Sequence, residues 1–263
     1  MEYKDIINKV LEGDCLEIMK NIPDGAIDMI LCDLPYGTTR NEWDSVIDLK
    51  KLWKEYKRII KQNGAIVLTG QGLFTAKLIM EGEKLFKYKI VWIKSKATNF
   101  LNASKQPLRK HEDICIFYKQ QPVYNPQMSA GEPYIKSIRK DKPTGSYDKF
   151  KPINKVSNGE RYPTDIIDDF IYFRTAELEG EVYHPTQKPI ELGRYLIKTF
   201  TNETDMVLDN TCGSGSFLVA AKLENRQFIG IEQNHIYVTV SKERLNALLA
   251  EKNGKIIKET ENV

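Results

Sequence analysis

An α/β fold on a largely parallel sheet is predicted by three observations. Short apolar runs alternate with stretches of helical period along most of the chain. A strand-like run at 207–209 passes through a glycine-bearing turn into a helix-like run, the connection expected where such a sheet meets a ligand. The composition fits one sizeable core, with 41% apolar residues in a 263-residue chain. No apolar run approaches the ~20 residues needed to span a bilayer. The first residues show no secretory pattern, so a cytoplasmic location is expected. The four cysteines (Cys15, Cys32, Cys115 and Cys212) are scattered. They read as reduced thiols, not a disulfide frame or metal site.

The elements follow in order. Asn8–Leu11 is a short strand. Cys15–Asn21 is a short helix with Asp14 placed to cap it. Ile27–Cys32 is a buried strand. Val46–Lys61 carries apolar residues at 46, 49, 52, 53, 56, 59 and 60, a helical period. Asn63-Gly64 should end it, and Ala65–Thr69 is the next strand. Gly72–Met80 is helical, and Tyr88–Ile93 and Ile114–Tyr118 are strands. Residues 119–182 then break the pattern with six prolines and no clear period. A segment that long is expected to be a functional insertion. Pro189 suits the first turn of a helix to Phe200. Met206–Asp209, Ser214–Glu224, Gln227–Glu232 and His235–Glu251 continue as strand, helix, strand and helix. The tail, Lys252–Val263, should fray.

The net charge of +3 hides an uneven distribution. Between Lys94 and Lys155 lie 13 basic residues and five acids, a net of +8, so the remainder is acidic. The block suits a polyanion partner, or else is a solvated surface.

Two sites carry candidate chemistry. In Asp209-Asn210-Thr211-Cys212-Gly213-Ser214-Gly215-Ser216, glycines allow close backbone approach and the following helix offers free N–H groups. Glu232 ends the next strand, where an acid can accept hydrogen bonds from a ribose diol. Leu218 departs from the dinucleotide fingerprint, which places glycine there. Asp33-Leu34-Pro35-Tyr36 follows the strand 27–32. A carboxylate and a neighbouring carbonyl there can both accept from an exocyclic amino group, and Tyr36 can stack on a planar base. Alone, the glycine-bearing motif favours a ligand over an ordinary tight turn, whereas a lone Asp33-Leu34-Pro35-Tyr36 reads first as a plain strand-to-loop turn.

Together they resemble S-adenosylmethionine-dependent DNA amino-methyltransferases. Asp33-Leu34-Pro35-Tyr36 resembles that family's D-P-P-Y catalytic motif, with Leu34 replacing a proline. Asp209–Phe217 resembles its cofactor motif and Glu232 its ribose acid. His184-Pro185-Thr186-Gln187-Lys188-Pro189 and Gly13-Asp14-Cys15-Leu16 resemble two further cofactor-side segments. The order, catalytic motif first, is that of the circularly permuted β group.

The resemblance implies a Rossmann-like methyltransferase sheet, mostly parallel with helices on both faces. Residues 1–118 and 183–263 would form the catalytic domain and 119–182 an irregular target-recognition insertion. Catalytic residues would be Asp33, Leu34, Pro35 and Tyr36. S-adenosylmethionine would meet Asp14, Cys15, Asp33, Asp209, Thr211, Cys212, Gly213, Ser214, Gly215, Ser216 and Glu232. Lys188 and Thr186 would meet its methionine carboxylate, or simply start a helix. His184 is a ligand or a structural hydrogen-bonder. Lys96, Lys105, Arg109, Lys110, Arg139 and Lys140 are candidates for DNA phosphates. Tyr124, Tyr134, Tyr147, Phe150 and Tyr162 would stack on bases or form the insertion's own core. Trp43 would order a loop over the target base or pack locally. No metal is called for.

The implied partner is double-stranded DNA, with a homodimer and a cognate restriction endonuclease admitted. Asp33 leans toward adenine N6. Cytosine N4 methylation, a nucleotide-dependent oxidoreductase and a non-catalytic DNA-binding relative stay open.

Overall fold

The computed structural model describes residues 2–37, 46–136, 155–168, 183 and 187–260. Two compact units result: Met1–Asn125 with Asp165–Val263, and Pro126–Thr164.

The larger unit is an eight-stranded sheet. Its strands are β1 (Lys9–Glu12), β2 (Ile27–Cys32), β3 (Ile60–Gly70), β4 (Phe86–Thr98), β5 (Arg109–Phe117), β10 (Ile166–Asp168), β11 (Met206–Asp209) and β12 (Gln227–Glu232). The order is β1-β12-β11-β2-β3-β5-β4-β10. Only β5 pairs antiparallel to its neighbours, so the other seven strands share one direction.

Strand alternation splits the core between two faces. On β3, Ala65 and Val67 belong to one cluster, Ile66 and Leu68 to the other. On β11, Val207 faces the first while Met206 and Leu208 face the second. A bulge between Ile27 and Met29 puts Ile27 on the same face as Ile30 and Cys32.

Helices cover both faces. Short α1 (Tyr3–Ile6) and α2 (Cys15–Ile18), with α3 (Leu49–Ile59) and α4 (Leu73–Glu81), pack on the second cluster. On the first lie α5 (Ile190–Phe200), α6 (Ser216–Leu223) and α7 (His235–Thr260). Helix α3 shows the local logic. Asp48 Oδ1 accepts from the Lys50 and Lys51 amides at its start. Leu52, Trp53, Tyr56 and Ile59, at helical spacing, are buried.

Several sequence expectations are corrected. Helix α3 ends at Ile59, and Asn63-Gly64 lies inside β3. A Cβ at Gly64 would come within 2.8 Å of the Asp28 carbonyl, so close strand approach, not helix termination, explains the glycine. Strands β4 and β5 extend toward each other, so Arg109–Glu112 belong to a strand instead of a connecting loop. Helix α7 continues to Thr260, past the expected fraying point.

The segment 119–182 also divides differently. Tyr124 packs on Phe200 of α5, with ring centres 6.3 Å apart. Asn125 Nδ2 donates to the carbonyls of Lys198 and Thr201, and β10 joins the main sheet beside β4. The smaller unit holds two antiparallel ribbons, β6 (Ser129–Ala130) with β9 (Glu160–Arg161) and β7 (Tyr134–Lys136) with β8 (Lys155–Ser157). The Arg161 guanidinium lies 4.7 Å from the Tyr134 ring centre, while Tyr162 is exposed. Trp43, Tyr147 and Phe150 lie outside the described residues.

Candidate active site

Strands β11 and β2 are neighbours whose connections leave in opposite directions. The chain passes from β11 through α6 to β12 on one side, and from β2 through α3 to β3 on the other. A crevice opens at such a switch point, beyond the strand carboxyl ends. Here it is a cavity of about 830 Å³.

The catalytic candidates sit at the end of β2. Asp33, Leu34, Pro35 and Tyr36 all line the cavity. The Leu34 side chain is buried in the second core cluster, which explains why an apolar residue is accepted there. Asp33 Oδ1 accepts from Tyr36 Oη at 2.9 Å and Thr69 Oγ1 at 2.5 Å. Its Oδ2 accepts from Lys188 Nζ at 2.6 Å, and its backbone carbonyl from Thr211 Oγ1 at 3.1 Å. The Tyr36 ring lies against Phe74, centres 4.9 Å apart.

Lys188 is drawn into a chain of ions. Its Nζ is 3.3 Å from Glu112 Oε2, and Lys94 Nζ is 3.0 Å from Glu112 Oε1. Burial opposes the charge on Lys188, but Asp33 and Glu112 outweigh it and hold the ammonium above the usual lysine range. Burial works against the Glu112 charge too, and Lys188 and Lys94 reverse that, holding its carboxyl below the usual range. Burial, then Asp33 and Glu112, push the Tyr36 phenol well up, so it stays a neutral donor.

The second wall is built by β11, the turn behind it and β12. Gly215 caps α6 with φ of +79°, a left-handed conformation that favours glycine. Ser241 Oγ donates to the Gly213 carbonyl at 2.7 Å. Arg244 Nη1 donates to the Ser214 carbonyl at 2.5 Å. Glu232 holds the Gly213 amide on Oε2 at 2.9 Å and the Asn234 amide on Oε1 at 2.8 Å. Asp14 caps α2 with Oδ1, while its Oδ2 accepts from Gln233 Nε2. Burial pushes the Asp209 carboxyl up to about 8, although the Thr211 amide and Cys32 partly offset it.

Most of the expected cofactor residues meet here. Asp14, Cys15 and Asp33 line the cavity with Asp209, Thr211 and Cys212. So do Lys188, Gly213, Ser214, Ser216 and Glu232. Gly215 stands behind the wall as a backbone cap. His184 and Thr186 lie outside the described residues, as do Arg139 and Lys140. Of the phosphate candidates, Arg109 lines the cavity, whereas Lys96, Lys105 and Lys110 are exposed on the β4–β5 hairpin.

With that geometry in hand, the family model N6_N4_Mtase, described as DNA methylase, matches residues 27–243. The chain belongs to this DNA methylase family. The match runs from the start of β2 into α7, so it takes in both walls of the cavity.

Individual relatives agree. Type II methyltransferase M.HinfI of Haemophilus influenzae is 28% identical over 276 residues, covering 93% of this chain and 70% of that protein. DNA adenine methyltransferase YhdJ of Escherichia coli is 28% identical, covering 90% of this chain and 82% of its own. Among solved structures, the M1.HpyAVI–SAM complex has a TM-score of 0.61 at 24% identity, covering 90% of this chain and 98% of that one. The PvuII cytosine-N4-specific DNA methyltransferase has 0.64 at 16%, covering 89% and 85%. These structural likenesses bear on the fold, a mostly parallel sheet between helices.

The candidate site of this DNA methylase also holds residues that the sequence did not single out. Glu112 and Lys94 read as part of a basic connection, yet both line the cavity. Thr69 read as an ordinary strand end. Ser241 and Arg244 fell within the helix expected over His235–Glu251, with no role assigned. Asn210 is buried between motifs, its Oδ1 accepting from Tyr56 Oη at 2.6 Å and Cys32 Sγ at 2.9 Å. Among the described residues, nothing accepts from its Nδ2.

Proposed function

We propose that this DNA methylase transfers a methyl group from S-adenosylmethionine to the exocyclic N6 amino group of an adenine extruded from duplex DNA at a specific site. The observation that carries this reading is the hydrogen-bonding state of Asp33. A carboxylate offers about four acceptor directions. Tyr36 and Thr69 take two on Oδ1, and Lys188 takes one on Oδ2. The remaining direction on Oδ2 suits one amino hydrogen.

The donor set fits the cofactor. Asp14, Asp33 and Glu232 line a cavity suited to a molecule bearing a sulfonium and an ammonium. A Cβ at Gly215 would come within 2.6 Å of Ser241 Oγ, so the turn is drawn close only because glycine is there. The buried Asn210 amide, which finds no acceptor among the described residues, lies in the same wall. Glu232 retains lone pairs beyond the two amides it holds, enough for a ribose hydroxyl.

The cofactor supplies a methyl group on a cationic sulfur. The chain supplies position. The target base must leave the stack to present N6 for in-line approach. Tyr36 offers it a stacking surface, and Asp33 accepts one N6 hydrogen while the Leu34 carbonyl accepts the other. That turns the nitrogen lone pair out of ring conjugation. The amine becomes acidic once it carries the methyl, and Asp33 then takes the proton. Lys188 holds the Asp33 carboxylate in place through its hydrogen bond to Oδ2. Rate enhancement thus comes from orientation and preset charge. Asp at position 33, and the adenine specificity in the name of the relative YhdJ, favour N6 over cytosine N4.

The deciding experiment is modification-sensitive sequencing of DNA from cells expressing the protein or its Asp33→Ala variant. N6-methyladenine at one recurring sequence, absent with the variant, is expected. N4-methylcytosine would give the reaction to the other base. An unmodified genome, or full activity of Asp33→Ala, would overturn the reading.

A further inference from the structure

The hairpin joining β4 to β5 ends in an apolar tip. Thr98 pairs with Arg109, its hydroxyl donating to the Arg109 carbonyl at 3.3 Å, and the chain turns through residues 99–108. The turn is ordered by its own hydrogen bonds. Asn99 takes a left-handed φ of 72°, and its Oδ1 accepts from Asn102 Nδ2 at 2.7 Å. The amides of Asn102, Ala103, Lys105 and Gln106 are all bonded within it. A preformed turn presents its side chains without first paying to order them.

At the apex, Phe100 is 75% exposed and Leu101 is 81% exposed. Adjacent large apolar side chains in solvent do nothing for the fold and mark a contact surface. The chemistry around them is basic: Lys96, Lys105, Arg109 and Lys110 lie on the same hairpin. The feet of the hairpin are part of the active cavity, whose wall includes Lys94, Thr98, Asn99, Arg109 and Glu112. Phe100 therefore follows directly on a residue that lines the site.

From these observations we infer that Phe100 and Leu101 form a wedge that enters the duplex beside the target base and fills the space the base vacates. This rests on the reading of the site as a DNA methylase acting on an extruded base. Apolar side chains inserted between base steps unstack them, and the basic flank answers the phosphates on either side. A protein partner would suit the apolar pair but gives the four cations no role. The wedge also accounts for the hairpin's location: holding the gap open helps only close to the pocket that receives the base.

The test compares methyl transfer to two short synthetic duplexes carrying the site found by sequencing. In one the target base is paired normally, and in the other it faces an abasic position, so the work of unpairing is already done. Phe100→Ala/Leu101→Ala alters only exposed side chains, and its folding is checked by thermal melting. The double variant is expected to lose at least about ten-fold in kcat/KM on the paired duplex, recover to near the unaltered protein on the abasic one, and keep its cofactor affinity. Equal loss on both duplexes would make the tip a docking contact, and no loss on either would remove it from DNA; each overturns the wedge. If the unaltered protein methylates no DNA, the functional reading itself falls, and the wedge with it.

Discussion

Lys188 Nζ lies 2.6 Å from Asp33 Oδ2, joining two motifs 155 residues apart. Both side chains are largely buried, Lys188 at 10% exposure and Asp33 at 23%. The sequence expectation aimed Lys188 at a cofactor carboxylate, as an alternative to a helix start. In the structure its ammonium meets the carboxylates of Asp33 and Glu112.

Lys188→Met removes the cation shared by two carboxylates. Without it, Glu112 loses the stronger of the two cations that hold its carboxyl low, so that group should take up a proton at higher pH and carry the acid limb of the kcat/KM profile up by about one pH unit. Asp33 would also lose an orienting contact, and transfer at neutral pH should fall roughly a hundred-fold. An unshifted acid limb in steady-state assays across pH 5–9 would separate Lys188 from Glu112.

Glu112→Gln leaves Lys94 and Lys188 facing a neutral group in a buried site. Breaking such a pair should cost about 3 kcal/mol at pH 7, read from urea unfolding. The carboxyl is held below its usual 4.5, so its contribution is present above that pH and fades as pH falls. The variant and the parent should therefore converge in acid.

Asp209→Asn should behave in the opposite sense. Burial raises this carboxyl from the usual 3.8 to about 8. Its cost to the folded state is absent below 3.8, grows between 3.8 and about 8, and is level above that. Without cofactor, the asparagine variant should melt several degrees higher at pH 8.5 and equal the parent near pH 4. Parallel melting curves across that range would contradict the assignment.

Gly215→Ala meets two obstacles, a φ of +79° and Ser241 Oγ 2.6 Å from the new methyl group. The strain should cost about 1–3 kcal/mol. Displacing Ser241, which anchors the Gly213 carbonyl, should weaken S-adenosylmethionine by at least about ten-fold in calorimetry. Gly25→Ala is the control: φ is +62° and nothing lies within 4 Å. It should carry the strain alone and leave the cofactor affinity intact.

Much of this protein was legible before the fold was known. Ile27–Cys32, Met206–Asp209 and Gln227–Glu232 matched their strands because a strand buried on both faces is a continuous apolar run. Strand β10 escaped notice because its three residues are too few to show a period. The extension of β5 through Arg109–Glu112 was hidden because all four residues are polar, the first three exposed and Glu112 buried.

The site divides along the same line. Asp33-Leu34-Pro35-Tyr36, the 209–216 turn and Glu232 were visible because their chemistry is local: consecutive residues whose spacing is set by one turn. Glu112, Lys94 and Thr69 were not, because they reach Asp33 only when β3, β4 and β5 lie side by side in the sheet. The amino-acid order alone therefore pointed to the residues proposed to orient an amino group and cradle a nucleoside. Only the tertiary structure decided that Asp33 shares a buried chain of charges with Lys188, Glu112 and Lys94. Coulomb energy depends on separation in space and on burial, and neither is written in the spacing along the chain.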